Sequence, residues 1–338
     1  MKLFETKIDR DDILNKIVPV LEDGELGFGP NVIKVEEVFK SFSKKDYNIA
    51  VNSASAAAFM IFAYLKEKYG ECDVYTSSIG FTSPAWAAKH FGHNLIWVEV
   101  DENLLFDVED YKKKRKISCE RYTDDNIKPV LMPILYGGVS NIKGFDTIKE
   151  DNYNEVVVVD AAHCVTPTIK SDFTFFSFHP YKPIAASDGG MISTDDKKAE
   201  DYFKVYRNFG RKNIEGGYDI VVNGFKFYMN NLNATITLTQ IDKYKDNLEK
   251  RKINHKLLEG IKLRGRLLPH DENSSYYFAT LICDKDSVEE LTRKYATSKH
   301  YPLLHKTEFY NDGTILKNTE EIHKYILNLP LYGNFYNS

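Results

Sequence analysis

The hydrophobic pattern of this chain alternates between two kinds of run. Short, nearly continuous apolar stretches rich in β-branched and aromatic residues predict buried strands. They fall at Tyr47–Val51, Asp73–Ser77, Leu95–Val100, Pro129–Leu135, Val156–Val159, Phe173–Phe178 and Gly190–Thr194. Between them, apolar residues at helical spacing predict helices over Asp11–Leu21 and Val35–Phe42, after Ser53, after Phe81, and over Glu109–Arg115 and Lys197–Arg207. Cys119–Asp125 reads as a polar loop, and RNFGRKN from Arg207 as the start of a long loop. Strands alternating with helices in this way predict an α/β chain with a largely parallel sheet covered on both faces. From about Asn247 the pattern changes. A strand at Tyr276–Cys283 and a helix at Val288–Tyr295 predict a smaller α+β unit, dividing the chain into 1–245 and 246–338.

Several apolar runs end in chemistry. Val156–Val159 stops at Asp160, followed by Ala161-Ala162-His163; Phe173–Phe178 runs into Ser177, His179, Tyr181 and Lys182, then Ser187-Asp188-Gly189-Gly190. An acid and an amine thus lie just beyond the carboxyl ends of neighbouring strands, where open α/β sheets bind ligands. Earlier, Asn52-Ser53-Ala54-Ser55 passes from a strand into an Ala-rich helix. Such a helix start presents free N–H groups and the positive end of the helix dipole, which suits a phosphate. Taken alone, each feature has a plainer reading: a capped helix, a solvated lysine, a strand-ending aspartate, a Phe81 packed in the core. The ordered set argues for a site.

Composition narrows the rest. Hydrophobic content is 43%, charged content 28% and formal net charge −4, ordinary for a globular protein and without attraction to nucleic acid. Cys72, Cys119, Cys164 and Cys283 share no metal-like spacing, and the nine His are scattered, so neither a disulfide framework nor a metal site is expected. No apolar run approaches the length of a membrane span, and the charged amino end lacks the apolar stretch of a signal peptide, so a cytoplasmic location is expected.

D-A-A-H ending at His163, S-F-H-P-Y-K from Ser177 to Lys182, and S-D-G-G together resemble the DegT/DnrJ/EryC1/StrS family of nucleotide-sugar aminotransferases. The resemblance covers most of the chain. It implies the pyridoxal-phosphate-dependent transferase fold of type I: a mostly parallel seven-stranded central sheet flanked by helices, plus a smaller C-terminal α+β domain. It also implies the cofactor pyridoxal 5′-phosphate (PLP, or PMP in its amino form), a glutamate amino donor, a nucleotide-linked keto-sugar (a 4-keto-6-deoxy hexose) as substrate, and a homodimer with shared sites. On that resemblance Lys182 is the catalytic amine. Asp160 faces the pyridine nitrogen, His163 the ring hydroxyl, and Phe81 and Ala162 the ring. Ala54 (where the family usually has Gly), Ser55 and Ser177 hold the phosphate, with Lys226 reaching it from the other subunit. Phe28, His179, Tyr181, His300 and Tyr301 contact substrate. Dehydratases on the same fold carry histidine in place of the lysine, so the retained Lys182 favours amino transfer. Another PLP reaction on a sugar and a non-catalytic regulatory protein are the alternatives.

Overall fold

The computed structural model describes residues 3, 4, 6, 8–121, 127–151, 154–295 and 301–332. Its centre is a seven-stranded sheet of β1 (Tyr47–Val51), β2 (Cys72–Ser77), β3 (Asn94–Val98), β4 (Lys128–Met132), β5 (Val156–Asp160), β6 (Phe173–Ser177) and β7 (Gly190–Thr194), in the order β1-β7-β6-β5-β4-β2-β3. Strands β3, β2, β4, β5 and β6 run parallel; β7 is antiparallel to β6 and β1 to β7. The sheet is buried on both faces, which explains why its strands read as continuous apolar runs.

Around it lie α1 (Arg10–Asp23), α2 (Pro30–Ser43), α3 (Ala54–Tyr69), α4 (Thr82–His90), α5 (Val108–Arg121), α6 (Lys197–Tyr206), α7 (Asn231–Asp242) and α8 (Tyr244–Glu259). Two hydrophobic clusters fill the faces. One joins Val35 and Phe39 of α2 to Leu131, Val159 and Phe176; the other joins Ile61, Phe62 and Leu65 of α3 to Val130, Val158 and Phe175. A smaller antiparallel sheet of β10 (Gly265–Leu267), β11 (Ala279–Cys283) and β12 (Ile326–Leu329) has its own core of Leu258, Leu281, Leu291, Leu327 and Leu329. The stretch from Leu304 to Leu316 packs back on the first sheet, where Leu304, Tyr310 and Leu316 meet Ala85 and Trp97.

Several boundaries differ from the sequence pattern, each for a local reason. Helix α2 begins at Pro30 rather than Val35, because proline at the first helical position gives up an N–H that has no partner there anyway. Helix α5 runs on through Arg121, past the expected loop start at Cys119, within a stretch of good helix formers. Strand β4 stops at Met132, before Pro133, and β11 starts only at Ala279, since Tyr276 takes a left-handed φ of 48°. The expected loop after Arg207 contains a hairpin of β8 (Arg211–Ile214) and β9 (Gly217–Ile220), whose residues are all exposed.

This register gathers the chemistry on one edge. Asp160 ends β5, opposite Phe175; Ser177 ends β6, opposite Gly190 at the start of β7, which also faces Val51 at the end of β1. A Cβ on Gly190 would come within 2.6 Å of the Ala54 nitrogen, so glycine is what lets the amino end of α3 settle against the sheet edge.

Candidate active site

A cavity of about 450 Å³ opens on that edge. Asp160, its floor, is 5% exposed, and its Oδ1 accepts a hydrogen bond from the Ala162 N–H at 2.9 Å. Burial pushes its carboxyl up to about 6, against the pull of that N–H and of the Lys182 charge. Lys182 sits on the loop after β6, its backbone N–H donating to the His179 carbonyl at 2.8 Å. Burial draws its ammonium down to about 8, opposed by Asp160. Its Nζ lies 4.8 Å from the centre of the Tyr277 ring. An amine in this state is partly neutral near physiological pH and hence a competent nucleophile and proton carrier.

The walls are built from helix starts and rings. Ser53 caps α3, its Oγ accepting from the Ala56 N–H at 3.1 Å, while the Ser55 Oγ donates to the Ser83 Oγ at 2.9 Å on the first turn of α4. Two helix amino ends therefore converge beside Ser177, with first-turn N–H groups that have no acceptor inside their helices. Phe81, just before α4, leaves 56% of its surface open and lines the cavity, which is unusual for a phenylalanine that only packs. His163 shares a 2.8 Å hydrogen bond between its Nε2 and the Tyr301 hydroxyl, the two rings nearly parallel at 5.8 Å. His179 lines the mouth; burial and then the Lys182 charge lower its pKa, with Asp188 opposing. Tyr181 also lines the cavity and stacks on Phe4 at 5.6 Å.

Of the residues singled out in the sequence, Ala54, Ser55, Phe81, Asp160, Ala162, His163, Ser177, His179, Tyr181, Lys182 and Tyr301 all line this one cavity. Phe28 and Lys226 do not reach it. Phe28 lies under the Arg207 guanidinium, 5.0 Å away, and edge-on to Tyr228; Lys226 lies over the Tyr228 ring at 5.6 Å. Bridges from Asn208 to Lys226 and from Val51 to Tyr228 hold that segment against the outer edge of the sheet, beside a separate cavity of about 430 Å³. His300 lies outside the described residues. Tyr277 and Ser83 line the cavity without having been anticipated: Tyr277 belongs to an aromatic run that reads as an ordinary strand, and Ser83 as a helix cap. Among the described residues no group of His, Cys, Asp and Glu is arranged to hold a metal ion, and no helix is long and apolar enough to cross a membrane.

Comparison with known proteins agrees with this architecture. The sequence pattern of the DegT/DnrJ/EryC1/StrS aminotransferase family matches residues 7–337. The spore coat polysaccharide biosynthesis protein SpsC of Bacillus subtilis is 29% identical over 255 residues, covering 71% of this chain but only 63% of SpsC. A UDP-4-amino-4,6-dideoxy-N-acetyl-beta-L-altrosamine transaminase of Campylobacter jejuni is 23% identical, covering 96% of this chain and 90% of that protein. Among solved structures, the putative sugar aminotransferase Spr1654 of Streptococcus pneumoniae in its PMP form superposes with a TM-score of 0.85 at 21% identity, over 98% of this chain and 92% of that one. The same protein has also been solved in a PLP form. Fold and family profile agree across nearly the whole length: the chain belongs to the DegT/DnrJ/EryC1/StrS aminotransferase family.

Proposed function

We propose that this protein is a PLP-dependent aminotransferase that moves an amino group from glutamate to a nucleotide-linked keto-sugar, a 4-keto-6-deoxy hexose. The observation that carries the reading is the pair at the cavity floor: a carboxyl drawn up to about 6 and an amine drawn down to about 8, facing one space. Bound there, PLP would supply an aldehyde that captures amines and a cationic ring that accepts the electron pair released at the substrate carbon.

The residues fit that group. Asp160 is a buried carboxylate short of a cation, so a protonated ring nitrogen would complete it, and the carboxylate would keep that proton in place. The amino ends of α3 and α4, with Ser55 and Ser177, would receive the phosphate. Phe81 offers an open ring face for stacking, with Ala162 small enough to leave room beside it. His163, held by Tyr301, would present its ring edge to the phenolic oxygen. Lys182 would bind the aldehyde and, once released, carry the proton between the donor or sugar carbon and the cofactor carbon, its lowered pKa making both directions accessible. His179, Tyr181 and Tyr301 at the mouth would meet the substrate.

A second copy of the chain supplies the rest. The β8–β9 hairpin and its neighbour Phe225 expose Ile214, Tyr218, Ile220 and Phe225, each more than half open, which suits burial between subunits. Phe28 and Lys226 lie apart from their own chain's cavity, and we assign them to the partner's site: Lys226 toward the phosphate, Phe28 toward the sugar. The test is to add PLP to the cofactor-free protein and follow the visible spectrum. A new absorbance band that glutamate then abolishes, followed by a mass-identified amino-sugar from a panel of UDP-, dTDP- and GDP-linked keto-sugars, is the expected result. A band indifferent to glutamate would instead favour another PLP reaction. No band at all would overturn the reading.

A further inference from the structure

Tyr277 lines this cavity beside Lys182, and the proposed function gives it no task. It is 1% exposed, and it lies just after Tyr276, whose left-handed backbone keeps the expected strand from starting there. Its ring lies 4.8 Å from the Lys182 Nζ, 4.3 Å from the His163 ring and 4.7 Å from Phe4, on which it stacks at an interplanar angle of 14°. Phe4 in turn stacks on Tyr181, next to Lys182 in sequence, and Thr6 donates a hydrogen bond to the Pro180 carbonyl. The amino-terminal segment thus backs both the lysine's loop and the ring beneath its amine.

We infer that Tyr277 is a positioning residue for Lys182: its ring face is the seat of the ammonium whenever that amine is not bonded to a cofactor. This rests on the reading of Lys182 as the catalytic amine. Lys182 faces opposite demands. It must be neutral often enough to react, and it must not wander when released, although its four-carbon stem is flexible. A direct ion pair with Asp160 would hold it but would raise its pKa and occupy the carboxylate. An aromatic face holds a cation through the ring quadrupole while leaving the carboxylate free, and the attraction is modest enough to let go. Among the described residues, the other titratable groups lining the cavity with this amine are Asp160 from β5, His163 from the turn after it, His179, Tyr181 and Asp188 from the flanking loops, and Tyr301. Among these only Asp160 and Asp188 carry negative charge, and Tyr277 adds attraction without adding charge.

The experiment reads the cofactor-free protein directly. Brief labelling with a limiting amine-reactive acylating reagent across pH 6–11, followed by quantifying the Lys182 peptide by mass spectrometry against exposed Lys212, gives the amine's titration midpoint. In the unaltered protein the midpoint is expected near 8. Tyr277→Phe keeps the ring and should leave it unchanged. Tyr277→Leu removes the ring and should lower it by about half to one unit, the size of a lost cation–π contact. Tyr277→Met fills similar volume without a ring and should shift it likewise, which keeps the test available should the leucine variant fail to fold. A midpoint that stays put in the ring-free variants, or that falls equally in Tyr277→Phe, overturns the inference. A midpoint near the ordinary lysine value of 10.5 in the unaltered protein would instead overturn the role given to Lys182 itself.

Discussion

Two pairs of opposite charge among the described residues, Arg207–Glu36 and Lys182–Asp160, are built for opposite ends. Arg207 and Glu36 are in direct contact: the guanidinium donates to the Glu36 Oε1 and to the Ala50 carbonyl at 2.7 Å, while the same Oε1 accepts from the Ala50 N–H at 2.9 Å. Those bonds tie α2, β1 and the end of α6 together, and each charge is compensated locally. Asp160 and Lys182 feel each other only across a cavity, and burial has moved both towards neutrality, to about 6 and about 8. The first pair spends its electrostatics on the fold. The second is left incomplete, which costs stability and leaves both groups able to exchange protons with a ligand.

The two pairs differ most at Lys182. Lys182→Met should cut amino transfer by about 10³-fold or more, because nucleophile and proton carrier are lost together. The cofactor-free variant should nonetheless be at least as stable as the parent in urea, since a poorly compensated buried cation has gone. A stable variant that still turns over would remove Lys182 from the mechanism. Glu36→Ala should do the reverse: leaving Arg207 buried without its carboxylate should cost about 3–5 kcal/mol, measured from the denaturant midpoint. Activity per folded molecule should be retained.

Asp160→Asn should change how stability depends on pH. In the folded chain Asp160 takes up its proton at about 6, in the unfolded chain at 3.8, so between those values the folded state binds more protons. Stability contributed by this group therefore rises as pH falls from about 6 to about 4, and the cost is full above 6. The parent should lose about 2–3 kcal/mol relative to the Asn variant on going from pH 4 to pH 7, read as the difference between their urea midpoints. Parallel pH curves for the two proteins would mean that the carboxyl is not destabilised by burial.

Much of this was legible in the chain. The seven strands of the central sheet, the acid ending β5, the serine and lysine around the end of β6 and the capped start of α3 all follow local rules that sequence pattern obeys. Boundaries went astray where one backbone preference overrode the pattern, as at Pro30, Pro133 and Tyr276. The β8–β9 hairpin escaped because its exposed residues carry no inward-facing alternation. Tyr277 and Ser83 escaped because nothing in an aromatic run or a helix cap says what it will face.

Local residue order sets which groups stand at the ends of which strands, because a strand's end and a helix's start are governed by neighbours a few residues away. Which of those groups share a space depends on how the strands and helices pack together. The order β1-β7-β6-β5-β4-β2-β3 brings residues as distant as Ser55, Asp160 and Tyr301 into one cavity and leaves Phe28 and Lys226 on another face. It also decided the protonation of Asp160 and Lys182, since burial is a property of everything packed around a group and is written at no single position.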